Sequence, residues 1–292
     1  MSCTIQVKNG DSLQQVLDFA PAGAVIHLPR GTWREKLALR TPGLTLIGAG
    51  AGKSRIVHND YARKIHADGR EYNTFRTYTL AVAADHVRLR GLSVCNDALT
   101  PEEKGQEVAL TVYGDDFEMT DCTLSSTQDT LFAGPLPGDL CQRYIDLLPA
   151  WLRQDIPLRQ RYRNCLIEGT VDFIFGCANA LFEDCEIRSL REVRGTGYCA
   201  APAHPLEAKE GFLFRRCRFT RAAGVPDGSV YLARPWRDYG LARFENCVYD
   251  WHIAPVGFDK WNDTNRDQTA RFYETPPTPG RVPWVKNDLS KE

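Results

Sequence analysis

Phe182-Glu-Asp-Cys185-Glu-Ile187 is one of five segments with a common frame: Met or an aromatic residue three positions before a cysteine, and an apolar residue two positions after it. The others are Met119-Thr-Asp-Cys122-Thr-Leu124, Tyr162-Arg-Asn-Cys165-Leu-Ile167, Phe214-Arg-Arg-Cys217-Arg-Phe219 and Phe244-Glu-Asn-Cys247-Val-Tyr249. Leu89-Arg-Gly-Leu92-Ser-Val94 is a sixth copy with leucine in the cysteine slot. Cysteine followed two residues later by an apolar side chain has the period of a strand with one buried face. From Leu92 to Cys247 the copies are 30, 43, 20, 32 and 30 residues apart. A short-strand unit recurring at roughly 20–45 residues marks a solenoid or a propeller. A propeller blade needs four strands, and these segments show one or two. The repeat therefore predicts an all-β chain, a single-stranded right-handed parallel β-helix with the thiols on its inward rung.

Outward from the repeat, Ala24 to Leu28 and Leu44 to Ile47 read as the first strands, and Ser12 to Phe19 as a short helix capping the open end. One domain over residues 1–292 is expected. The stretch Ala133 to Arg159, with Pro135, Pro137, Pro149 and Pro157 around Leu147-Leu-Pro-Ala-Trp-Leu152, interrupts the pattern as an inserted loop with a helical turn or two. Thr275 to Trp284, with four prolines, reads as an extended tail along the surface.

The net charge is −1, with 36 Lys+Arg against 37 Asp+Glu and no basic cluster, which argues against nucleic-acid and anionic-membrane partners. No apolar run approaches the roughly 20 residues needed to span a bilayer. The first residues have no basic and no apolar region of a signal peptide. With Met1 as the native start, a cytoplasmic location and ten free thiols are expected. There is no C-x-x-C pair, and the six histidines are scattered without an H-E-x-x-H pattern, so no metal site is read and each histidine is taken as structural.

Gly48-Ala-Gly-Ala-Gly-Lys53-Ser54 imitates a phosphate loop, but Ile47 stands where its first glycine belongs, and it reads as a turn between strands. No G-x-S-x-G elbow is present. Two carboxylates remain: Asp129, next to Gln128 at the end of a predicted strand, and Asp172, inside the aromatic run Val171-Asp-Phe-Ile-Phe175 on a predicted strand surface. An unpaired buried carboxylate is costly or protonated, so Asp172 needs a cation or an outward position. Arg234, beside Trp236, is the candidate cation. Taken singly, Asp129 also fits an Asx turn, Asp172 a satisfied polar group, and Arg234 with Trp236 ordinary surface stacking. Together they suggest an acid and a nucleophile, with an arginine keeping one of two like groups ionised.

These residues resemble the pectin methylesterases (pectinesterases). Gln128-Asp-Thr-Leu131, Gly169-Thr-Val-Asp-Phe-Ile-Phe-Gly176 and Leu232-Ala-Arg-Pro-Trp236 match closely. Gln106-Glu-Val-Ala-Leu110 and Gly31-Thr-Trp-Arg-Glu35 look like two further family segments, in order from about Gly31 to Trp236. The resemblance implies a right-handed parallel β-helix that hydrolyses C6 methyl esters of galacturonate units in pectin or methylated oligogalacturonides, with no metal or other cofactor. It implies Asp172 as nucleophile, Asp129 as general acid and then base, Gln106 and Gln128 as oxyanion donors, and Arg234 as the partner of Asp172. Trp236 and Phe175 match a floor for the sugar ring, and Thr74 a substrate contact. Two departures stand out: Asp129 and Asp172 are 43 residues apart, about twice the family's spacing, and Ala233 replaces a usual glycine.

The extra length between the acids is the 133–159 insertion, which is expected near the active-site cleft as a wall favouring short oligogalacturonides. A monomer is expected; the alternative for the same loop is a dimer interface through exposed Leu147, Leu148, Trp151 and Leu152. An esterase or thioesterase acting on a non-pectic acyl group is the alternative function. The main rival from another reaction class is a pectate lyase or polygalacturonase on the same scaffold, although neither a Ca²⁺-binding acid cluster nor a glycosidase acid pair is evident, and a non-catalytic sugar-binding β-helix is the third.

Overall fold

The computed structural model describes residues 3–152 and 156–287. Residues 1–2 and 288–292, at the ends of the expected domain, and residues 153–155 of the insertion lie outside it. Among the described residues, three parallel sheets of ten, eight and seven strands run along the chain. Neighbours within a sheet come from successive coils. Phe117–Thr120 pairs with Arg159–Arg163, which pairs with Asn179–Glu183, then Phe212–Arg215, then Leu241–Glu245. Each coil crosses the ten-stranded, the eight-stranded and then the seven-stranded sheet, making the right-handed parallel β-helix that the repeat predicts.

The five cysteines of the repeat face inward, as expected, but from a corner and not from a strand. They occupy the corner between the first two sheets, each one residue ahead of a strand: Cys122 before Thr123–Ser125, Cys185 before Glu186–Ser189, Cys217 before Arg218–Arg221. The residue before each cysteine has left-handed backbone, with φ of 55° at Asp121, 50° at Asn164, 54° at Asp184, 51° at Arg216 and 52° at Asn246. Gly91, before Leu92, has φ 60°. Glycine, asparagine and aspartate adopt this conformation most readily, which explains their recurrence there. Arg216 is the exception, and Glu183 and Asp184 hold its guanidinium.

The corner turns the thiols inward. Cys165, Cys185, Cys217 and Cys247 donate from Sγ to the carbonyls of Met119, Tyr162, Phe182 and Phe214 on the preceding coil, at 3.3–3.4 Å. Beside them the rings of Tyr162, Phe182, Phe214 and Phe244 stack at 4.7–4.9 Å. All ten cysteines are free thiols.

Both ends are closed. Leu13–Phe19 is the N-terminal helix; Ser12 caps it, and the Glu35 carboxylate accepts from the Leu13 and Gln14 amides at 2.8 and 3.1 Å. At the other end the proline-rich segment is more than a surface tail. Arg281 binds the buried Glu274 carboxylate through both oxygens, and Trp284 packs on Phe258 and Phe272. It caps a core end that would otherwise be wet.

The insertion contains a helix, Gly138–Arg143, and a 3-10 turn, Ala150–Leu152. Its leucines are not exposed as the dimer reading requires: Leu148 is 3% and Leu152 1% exposed, while Leu147 and Trp151 are half-buried. They pack with Leu136, Leu140 and Leu158 on Tyr113, Phe132 and Phe175, a second apolar cluster outside the seven-stranded sheet. Phe132 and Phe175 point outward from that sheet, and the insertion covers the apolar surface they create. The dimer argument thereby loses its basis.

Candidate active site

Asp129 and Asp172 do not lie on strands, as expected, but in the turn from the second sheet to the third. Asp129 precedes Leu131–Ala133 and Asp172 precedes Ile174–Gly176, with φ of 67° and 48°. Leu131 pairs with Ile174, and the Asp129 amide donates to the Val171 carbonyl at 3.0 Å. The acids thus hold equivalent positions on adjacent coils, whose strands lie about 4.8 Å apart. The glycines of Gly169-Thr-Val-Asp-Phe-Ile-Phe-Gly176 permit this approach. A Cβ on Gly169 would come within 2.7 Å of the Thr127 carbonyl, and one on Gly176 within 2.0 Å of the Ala133 carbonyl.

Arg234 reaches Asp172 from the strand end after Val230–Ala233. Nε and Nη2 donate to the two carboxylate oxygens at 2.8 and 2.7 Å. The guanidinium is sandwiched between Tyr198 and Trp261, 3.7 and 4.1 Å from their ring centroids. Burial raises the pKa of both acids, but their partners differ. Asp129 is pushed well above the usual carboxylate range by burial and then by the Asp172 charge. For Asp172 the bidentate arginine opposes burial, favouring the carboxylate form.

A cavity of about 340 Å³ joins all eight residues proposed from the sequence: Thr74, Gln106, Gln128, Asp129, Asp172, Phe175, Arg234 and Trp236. Gln106 and Gln128 stand on adjacent coils, fastened by the Glu107 amide donating to the Gln128 carbonyl at 3.0 Å. Thr127 Oγ1 also donates to the buried Glu107 carboxyl at 2.6 Å. Thr74 lies on a 3-10 turn, Thr74–Arg76, in a long loop. Lys36 and Lys64 bind Asp60 in that loop at 2.7 and 2.6 Å.

Sequence reasoning did not name six residues that contribute to the site. Phe75 sits edge-on to Phe132 at 5.2 Å and against Tyr144 of the insertion at 5.7 Å. Trp261 covers Arg234. Leu140, Arg143 and Tyr144 bring the insertion to the cavity wall. Arg194 donates to Gln128 Oε1 at 3.0 Å. Phe75 adjoins the predicted Thr74, and the insertion is expected near the cleft without its contact residues being named; Trp261 and Arg194 carry no local signal, because each arrives from a loop distant in sequence. A carboxylate poised by arginine, a carboxyl one coil away whose burial favours the protonated form, and two amides at the cavity wall together suit nucleophilic cleavage of an ester.

The family model described as Pectinesterase matches residues 5–136 and 155–282, leaving 137–154 of the insertion unmatched. The chain is 29% identical to Pectinesterase QRT1 of Arabidopsis thaliana, covering 95% of this chain and 70% of that protein. It is 28% identical to Pectinesterase 31 of the same plant, covering 96% and 84%. Against Probable pectinesterase/pectinesterase inhibitor 46 it is 27% identical and spans 47% of that protein, about half the length of several such relatives. Among solved structures, pectin methylesterase from carrot superposes with TM-score 0.81 at 23% identity, over 99% of this chain and 89% of that one. A pectin methylesterase in complex with a hexasaccharide gives TM-score 0.81 at 23% identity, over 99% and 94%. These last two likenesses speak to the fold.

Proposed function

The chain belongs to the pectinesterase family, and from that premise we propose that it is a carboxylic ester hydrolase that removes methyl groups from the C6 esters of galacturonate units, releasing methanol. The observation that carries the reading is the bidentate Arg234–Asp172 pair stacked one coil from the buried Asp129, in a cavity walled by Gln106 and Gln128.

In this reading an Asp172 oxygen attacks the ester carbonyl carbon, and its electrons move onto the carbonyl oxygen, where the two glutamine amides donate to it. The tetrahedral species collapses, the C–O bond to methyl oxygen breaks, and Asp129 gives its proton to the departing methanol. Asp129, now a carboxylate, takes a proton from water as that water attacks the acyl group on Asp172. The second collapse returns Asp172 as a carboxylate held by Arg234, and the galacturonate leaves as a free acid. Phe175 and Trp236 offer a floor for the sugar ring, and Thr74 a polar contact beside it.

Substrate class rests on the family and on pectin methylesterases solved with a hexasaccharide. The insertion reaches the cavity through Leu140, Arg143 and Tyr144, which supports a narrowed cleft suited to short methylated oligogalacturonides. The test is methanol release from methylated pectin and oligogalacturonides, run beside simple acyl esters. Methanol from the galacturonides is expected. Turnover of acyl esters alone would transfer the site to a non-pectic esterase.

A further inference from the structure

The two amides assigned to the oxyanion differ in how they are held. Among the described residues the Gln106 side chain has no hydrogen-bond partner, whereas Gln128 Oε1 accepts from Arg194 Nη2 at 3.0 Å. Arg194 lies in the loop between Glu186–Ser189 and Gly197–Pro202. That loop makes the same sheet-to-sheet turn as the Asp129 and Asp172 turns, one coil beyond Asp172. Its guanidinium therefore reaches back past the Asp172 coil to the Asp129 coil. Glu192 fixes it there: Nε and Nη2 of Arg194 donate to the two Glu192 oxygens at 2.7 and 2.9 Å, and the Arg194 amide donates to the same carboxylate at 2.8 Å. Glu192 is itself nearly buried, with 3% of its side chain exposed.

We propose that Arg194 is a positioning residue that sets the rotamer of Gln128, committing its amide oxygen so that its N–H₂ group is turned toward Asp129 and the reacting carbonyl. A primary amide offers donor and acceptor ends of nearly the same shape, and a half-turn exchanges them. With the oxygen inward, Gln128 would repel the developing oxyanion. Arginine has donors only, so it donates to the amide oxygen and cannot pair with the amide N–H₂. Gln128 and Asp129 are neighbours in the chain and line the same cavity, so the end of the amide that Arg194 leaves free is the one available to the site. This inference rests on the ester-hydrolase reading of the site, and Arg194 and Glu192, which carry it, lie outside the quoted family motifs.

The test is a double-mutant cycle of Arg194→Ala and Gln128→Ala on methanol release from a methylated oligogalacturonide, with thermal unfolding of each variant as the fold control. Gln128→Ala is expected to lower kcat by about 10²–10³-fold, as for loss of one oxyanion donor. Arg194→Ala in the native background is expected to lower kcat by about tenfold at unchanged KM. In the Gln128→Ala background the same change is expected to alter kcat by less than about twofold, because its target is gone. Arg194→Lys, with one compact donor group, is expected to restore part of the loss. A kcat loss that is the same in both backgrounds, or an Arg194→Ala effect confined to KM, overturns the assignment; the second would make Arg194 a substrate contact. Wild-type protein releasing no methanol overturns the ester-hydrolase reading and this inference with it, whereas an additive cycle on an active wild type overturns this inference alone.

Discussion

Asp129 and Asp172 occupy the same turn position on consecutive coils, both with left-handed backbone, and Arg234 binds both oxygens of Asp172. Two like groups in like backbone settings are thus driven apart by one side chain. The Asp172 charge also bears on Asp129, so proton loss from Asp129 depends on the state of its neighbour.

The first consequence is a rate that falls on both sides of an optimum. On the acid side Asp172 takes a proton and ceases to be a nucleophile; on the alkaline side Asp129 loses the proton that the leaving methanol needs. Burial raises Asp129 well above the usual carboxylate range, so the alkaline limb lies above it too. Arg234→Lys gives up the bidentate bond that favours the carboxylate. Profiles of kcat against pH are expected to show the acid limb moved upward in that variant.

Stability responds to the same asymmetry. A carboxyl whose folded pKa exceeds its unfolded value of about 3.9 favours folding below that value. This contribution is lost as pH rises toward the folded pKa. At neutral pH Asp129 therefore weakens the fold, and Asp129→Asn is expected to raise Tm by about 2–4 °C, on the order of 1 kcal/mol, while abolishing most turnover. The gap is expected to close near pH 3, where both side chains are neutral. Unfolding scans at pH 3 and pH 7 check this.

The C-terminal cap is held by a nearly buried ion pair, with side-chain exposures of 9% for Arg281 and 2% for Glu274. Removing one partner strands the other, which typically costs about 3–5 kcal/mol. Glu274→Ala is expected to lower Tm by several degrees and to leave KM unchanged, since neither residue lines the cavity. A Tm equal to wild type would show that the proline-rich segment contributes little to closing the core.

The insertion predicts substrate preference. Among the described residues, Arg234 and Arg237 at the cavity are paired with Asp172 and Asp139, while Arg143 is exposed and has no ion-pair partner. Arg143→Gln is expected to raise KM several-fold for substrates with free galacturonate carboxylates beside the ester and to leave kcat unchanged. Wild type is expected to demethylate a trimer or tetramer faster, per ester, than long-chain pectin. Methanol release from chains of defined length checks both.

Much of this was legible in the sequence because it is local. The cysteine frame reports the coil, and the glycines around Asp172 report a close approach of chains. The left-handed corner was legible too, in the Asp, Asn and Gly residues before the repeat position, but a period-two reading places the cysteine on the strand instead of one residue ahead of it. Asp129 and Asp172 were misplaced for the same reason: alternation identifies strands but not the residue at which a coil turns. Leu148 and Leu152 looked exposed because Phe132 and Phe175, which they cover, face outward on another element. Arg194 and Trp261 reach the site from remote loops, and neither spacing nor composition records such pairings.

Asp172→Asn tests the central claim most directly, because it keeps shape and a hydrogen bond to Arg234 while removing the nucleophile. Methanol release from a methylated oligogalacturonide is expected to fall by at least about 10⁴-fold with the fold intact by circular dichroism. Turnover within tenfold of wild type in a folded Asp172→Asn protein would contradict nucleophilic attack by Asp172.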